Sequence, residues 1–267
     1  MKFAQAFLSA AVGGAALLWA AQATAQTDHP GFATVVRIEG QARYSGPDNV
    51  WHPLTVGQTL GPGSVIQSAV GSKVDLVLGD RIAQQIVPAP DRIGPAPDFP
   101  VHGLMSYRAA AEQNVISLRS DTVLAIDKLT ISNTGIDAVS DTELDLRQGT
   151  IFGNVKKLSS ASQYLIKTPQ GMAGVRGTTF IMSADGDITV ISGSMVVVHT
   201  DPQTGATTTT VVGPGEQVNP VTGQVTTLTP DQLAAAIQTA IFTITLSEGV
   251  ITFAQDLTTV VISPTGP

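Results

Sequence analysis

The chain has 267 residues, 21 acidic and 14 basic, for a formal net charge of −7, and it contains no cysteine. An acidic balance without a basic run argues against nucleic acid and against a stable seat on an anionic membrane. The lack of cysteine excludes disulfides and a lipidated-cysteine anchor, so stability must come from core burial.

Lys2, the apolar run Phe7 to Ala21 and the tripeptide Ala23-Thr24-Ala25 read as a secretory signal peptide over residues 1–25, cut after Ala25. The run is too short and too rich in small residues to anchor in a bilayer. A periplasmic or secreted, soluble mature chain is expected. Charged residues are only 13%, while Thr, Val, Ile and Gly are abundant, which favours strands and turns.

From residue 26 onward one local pattern recurs: alternating apolar residues, a glycine, then more alternation. It occurs around Gly40, Gly149, Gly193, Gly223 and Gly249. Period-two alternation predicts strands with one buried face, and the glycine supplies a positive φ or a bulge at the corner. Unequal spacing excludes a regular solenoid repeat. The fold class expected is all-β: an irregular β-roll, a β-helix or a β-sandwich of many short strands, with one short C-terminal helix.

HPLTVGQTL and SVIQSAV predict two strands separated by Gly61-Pro62-Gly63. Residues 81–114 read as a proline-rich insertion, an exposed loop in which SYRAAAEQ makes a short helix. Asp185-Gly186-Asp187 predicts a hairpin turn, and Pro202 to Gly205 and Gly213-Pro214-Gly215 predict loops. A β domain over residues 26–218 is followed by an extension, 219–267. There Thr229 caps and Pro230 opens a helix of about residues 230–240. FTITLSEGVITF and LTTVVIS then read as further strands.

These residues resemble the periplasmic FecR domain. The similarity runs through ATVVRIEGQARYS, PLTVGQTLGPGSVIQSAVGSKVDLVLGD, VISLRSDTVLAIDKL and ELDLRQGTIFGNVKKL. It is most specific in YLIKTPQGMAGVRGTTFIM, ITVISGSMVVV and VVGPGEQV. The hallmark residues fall on Thr168, Pro169, Val175, Arg176, Gly177, Thr178 and Phe180. The resemblance implies an all-β module working outside the cytoplasm through contacts rather than catalysis. Family members that act as anti-sigma regulators carry a cytoplasmic helical domain and a transmembrane helix, for which this sequence offers no counterpart.

Thr168, Pro169, Arg176, Gly177 and Thr178 are the candidate binding residues. Two readings of Arg176 stand. It is an internal staple tying carbonyls or pairing with Glu143 or Asp145, the preferred reading, or it forms an anion site with the amides of the Gly-rich turn. Phe99 and Tyr107 of the insertion are candidates for a partner surface.

The four histidines, His29, His52, His102 and His199, lack metal-ligand spacing, and His29 reads as part of a disordered start. No metal, cofactor or nucleotide is expected. Lys156-Lys157 is a small basic spot, and Trp51 and Tyr44 are core or rim residues. The function expected is a non-enzymatic, signalling-related module of the cell envelope that binds an envelope protein or a surface polymer. A self-assembling adhesive protein is the first rival. A hydrolase of envelope polysaccharide, using carboxylates such as Asp121, Asp127 and Asp145, is the second.

Overall fold

The structure is a computed structural model that describes residues 28–79, 84–86, 105–108, 114–133, 138–201, 203–219, 222–248 and 250–252. The predicted signal peptide, Phe99, His102 and LTTVVIS lie outside those residues.

In chain order the strands begin with β1 (Asp28–Pro30), β2 (Phe32–Glu39), β3 (Ala42–Ser45), β4 (Trp51–Pro53), β5 (Thr59–Leu60), β6 (Val65–Ser68) and β7 (Lys73–Gly79). Then come β8 (Gln84–Ile86), β9 (Met105–Arg108), β10 (Asn114–Leu118), β11 (Val123–Asn133), β12 (Ala138–Gln148), β13 (Thr150–Asn154) and β14 (Gln163–Thr168). The remainder are β15 (Gly171–Val175), β16 (Thr179–Ser183), β17 (Ile188–Ser192), β18 (Met195–Thr200), β19 (Thr207–Val212), β20 (Glu216–Val218), β21 (Val225–Thr227), helix α1 (Pro230–Glu248) and β22 (Val250–Thr252).

Two large sheets face each other across one core. Sheet A has ten strands, ordered β19-β18-β15-β14-β12-β11-β6-β3-β4, with β1 also paired to β11. Sheet B has nine, ordered β21-β20-β17-β16-β13-β10-β7-β2-β5. The fold is thus all-β with a single described helix, as the strand-and-corner pattern predicts. Leu124, Leu144 and Ile166 of sheet A meet Leu76, Ile116 and Phe180 of sheet B in a common cluster, all essentially without solvent contact. The alternation that places them there is plain in β17, where Ile188 and Val190 are buried and their neighbours are not.

The chain repeatedly crosses between sheets, and the crossings gather at two ends. At the first end lie Gly40, Ala69 to Ser72, Arg119 to Thr122, and Gly149. They are knit by Ala69 N–H to the Gln41 carbonyl and Thr122 Oγ1 to the Thr150 carbonyl. At the second end lie Val155 to Ser162, Arg176 to Thr178, and Gly193-Ser194. Every pairing within sheets A and B is antiparallel except β12 with β14, which follows from the long return of residues 155–162.

Several expectations need correction. HPLTVGQTL is not one strand: it divides into β4 and β5 around a turn at Leu54 to Gln58. Ser106 to Arg108 form strand β9, not helix, because β8 and β22 flank it in a three-stranded sheet. His29 is held in β1 opposite Ile131. Helix α1 runs to Glu248, so most of FTITLSEGVITF is helical, and only Val250–Thr252 is strand.

A capping box starts α1. Thr229 Oγ1 accepts from Gln232 N–H at 3.3 Å, and Gln232 Oε1 accepts from Thr229 N–H at 2.8 Å. Once the first turn is made, each β-branched residue added costs only a few tenths of a kcal/mol, roughly, so the local strand preference loses. The helix lies on the outer face of sheet B, against β10, β13, β16 and β17, with Ala240 buried.

Candidate functional site

The sequence V-R-G-T is the crossing from β15 in sheet A to β16 in sheet B. Gly177 takes φ 68°, and a Cβ there would sit 3.2 Å from Lys157 Cα, so the 155–162 crossing packs directly on it. Thr178 is buried, and its hydroxyl donates to the Ser194 carbonyl at 2.6 Å, bonding this crossing to the next one. Val155 N–H donates to the Thr178 carbonyl at 2.9 Å. Gly177 and Thr178 therefore serve the fold.

Arg176 does not. Its side chain is exposed, and no described residue bonds it. The internal-staple reading of Arg176 is corrected on that ground. The carboxylates proposed for it are engaged elsewhere: Asp145 pairs with Arg147 at 2.7 Å and Glu143 with Lys167 at 2.8 Å. Lys167, which also reaches Asp127 at 3.3 Å, has its pKa raised chiefly by the Glu143 and then the Asp127 hydrogen bond. Lys128, bonded to Asp141, is raised for the same reason.

Thr168 and Pro169 stand at the opposite end of β15. They form the β14–β15 turn, where Gln170 N–H reaches Thr168 Oγ1 at 3.3 Å and Thr200 N–H reaches the Gln170 carbonyl at 2.8 Å. Five residues of extended strand, roughly 17 Å, separate this turn from Arg176. The five candidate residues thus belong to two ends of the molecule and make no single site. Tyr107 lies on β9, between β8 and β22.

Beside this crossing the structure assembles a basic groove. Asn154 to Lys157, Gly177 to Thr179, Ile191 and Ser192 line it, with Ile237 of α1 on the far wall, enclosing about 500 Å³. No carboxylate lines it. Among the described residues neither Lys156, Lys157 nor Arg176 has an acidic partner, whereas Arg37, Lys128, Arg147 and Lys167 are each paired with one. Lys156-Lys157 was visible in the sequence as a basic pair. Its convergence with Gly177 and Ile237 was not, because it depends on which crossings share an end.

The carboxylates considered for hydrolysis are dispersed. Asp127 and Asp145 sit in ion pairs on the outer face of sheet A, and Asp121 is a turn residue at φ 55°. Among the described residues no group of three His, Asp or Glu converges as a metal site. Also among them, no helix is long and apolar enough to cross a membrane.

A family model described as "FecR protein" matches residues 107–198, a span that contains β10 to β17, both groove-forming crossings and Arg176. No curated protein matches the chain. Among solved structures, two crystal structures named as a "putative anti-sigma factor" from Parabacteroides distasonis ATCC 8503 are similar. One is 19% identical with a TM-score of 0.34, over 51% of this chain and 60% of the other. The second is 20% identical with a TM-score of 0.34, over 48% and 57%. The chain thus spans about 60% of the length of the solved structures it matches.

Proposed function

Starting from the FecR-family segment at residues 107–198, we propose that the chain is an exported, signalling-related module of the cell envelope that works by holding another protein rather than by transforming a substrate. The observation that carries this is the carboxylate-free groove of Lys156 and Lys157 on a chain with a net charge of −7. Unpaired cations on an otherwise acidic surface favour an acidic segment, and Ile237, 36% exposed on the groove wall, adds an apolar contact.

Crosslinking and pull-down from envelope extracts test the reading. One stoichiometric protein is expected with the unmodified chain, and its recovery drops when Lys156 and Lys157 are both changed to Glu. Recovery unchanged by that charge reversal would refute the assignment. Export is tested separately, by fractionation and by N-terminal sequencing of the mature chain, with Gln26 as the expected first residue.

A second reading is favoured by one further observation. Strand β19 is the outer edge of sheet A, six residues long, without charge or proline, and Val211 on it is 66% exposed. Proteins that stay monomeric usually blunt such an edge. Self-assembly through β19 would appear as concentration-dependent sedimentation that Thr209→Lys abolishes. A monomer at all concentrations removes this reading.

A further inference from the structure

At the first end of the molecule, on the margin of sheet A, Arg43 lies over Trp51 with its guanidinium carbon 4.4 Å from the ring centroid. Its Nε donates to Gln67 Oε1 at 2.9 Å. Stacking and hydrogen bond together fix the fork, and they leave both Nη groups without a described partner. Trp51 is 41% exposed. The residues border an open cleft of about 580 Å³ that also takes in Gln41, His52 and Pro53. A smaller hollow lined by Gln41, Arg43 and Gln67 adjoins it. No carboxylate lines either one. Of the carboxylates nearby, Asp48 lies 3.6 Å from His52 Nε2, and Glu39 is paired with Arg37 at 2.7 Å.

We propose that this cleft binds a carboxylate-bearing sugar polymer, a uronate glycan. The inference is independent of the groove at Lys156 and Lys157. An oriented guanidinium with two open Nη groups suits a planar carboxylate. The Gln41 and Gln67 amides, each both donor and acceptor, suit hydroxyl groups. The Pro53 ring and the part of the indole that Arg43 leaves open give an apolar surface against which a pyranose can lie. An acidic peptide fits less well. A peptide gains most of its affinity at a sheet margin by adding a strand, and β4 is three residues long and includes Pro53, which has no N–H to offer.

The test is a fluorescence titration of the full chain with oligogalacturonate, with its carboxyl-reduced neutral counterpart and with poly-glutamate. The chain has two tryptophans, Trp19 and Trp51, so a Trp51→Phe variant isolates the reporting signal. Oligogalacturonate is expected to perturb Trp51, and salt to weaken it. Arg43→Gln should lower affinity about tenfold or more, the loss of one charge-assisted fork. Arg43→Lys should be intermediate, and Arg176→Gln should bind as the parent does. Binding of the neutral sugar as tightly as the uronate overturns the proposal without relying on any variant. So does poly-glutamate binding equal to the uronate, unchanged affinity in Arg43→Gln, or no binding by millimolar ligand.

Discussion

Gly153 on β13 faces Phe180 on β16, and a Cβ at position 153 would stand 2.2 Å from Phe180 Cζ. The phenyl ring fills the space that a side chain at 153 would occupy, at the centre of sheet B. Gly153→Ala should therefore destabilise by overpacking, roughly 1–3 kcal/mol. Phe180→Ala should cost roughly 3–5 kcal/mol, because the ring is fully buried. The double variant should be less unstable than the sum of the two, since each change relieves the other. Urea denaturation of the four proteins measures the coupling, and strict additivity would contradict the packing described.

The V-R-G-T corner separates into structural and exposed residues, and its variants should separate too. Thr178→Val removes the donor of a 2.6 Å hydrogen bond and leaves the carbonyl of exposed Ser194 to water, an expected loss of roughly 0.5–1.5 kcal/mol. Gly193→Ala should be worse, because φ is 82° and a Cβ would lie 2.1 Å from the Gly177 carbonyl oxygen. Arg176→Gln should leave the melting temperature within about 1 °C, as expected of an exposed residue with no partner. A large thermal shift in Arg176→Gln would restore the internal-staple reading.

The separation explains what the sequence could and could not disclose. Alternation and glycine fixed the corners locally. Gly40, Gly149, Gly193 and Gly223 all have positive φ, and Asp185-Gly186 turns β16 into β17 as expected. Which corners share an end is a long-range property, set by the alternation of the chain between sheets. So Thr168-Pro169 and Arg176, eight residues apart, ended at opposite ends, while Lys157 and Gly177 met. Helix α1 shows the same limit. The Thr229 cap and Pro230 start were readable, but the continuation past Ala240 was not, since β-branched residues there spoke for strand. The Arg43–Trp51 stack depends on hairpin register, with Ser45 opposite Trp51, which no spacing rule provides.

The turn between β18 and β19 should be sensitive to acid. Asp201 Oδ1 accepts from Gln203 N–H at 2.7 Å and Thr204 N–H at 3.1 Å, and these bonds hold its carboxyl below the usual aspartate range. A depressed folded pKa means that the contribution is present above the unfolded value, about 4, and is lost as pH falls through the lower folded value. Amide shifts of Gln203 and Thr204 should stay flat from pH 7 down to about 4 and move only below it. Asp201→Ala should erase that transition. An inflection at or above the ordinary aspartate value would show that the turn does not hold the charge.

The last prediction concerns Arg37, which bridges two carboxylates of unequal burial. Asp75 Oδ2 is 2.6 Å from Arg37 Nε and its side chain is inaccessible, whereas Glu39, at 2.7 Å, is 56% exposed. Water can replace Arg37 around Glu39 but cannot reach Asp75 from that side. Glu39→Gln should therefore change stability by no more than about 0.5 kcal/mol. Asp75→Ala should cost more, roughly 1–3 kcal/mol. The figure stays below that of a wholly buried pair because the Arg37 side chain is 30% exposed and can recover solvent. Raising salt should erase the small Glu39 effect and leave most of the Asp75 effect, since screening acts on the exposed pair first. Equal costs for the two substitutions, or equal sensitivity to salt, would show that Asp75 is not the buried anchor of the β2–β7 pairing.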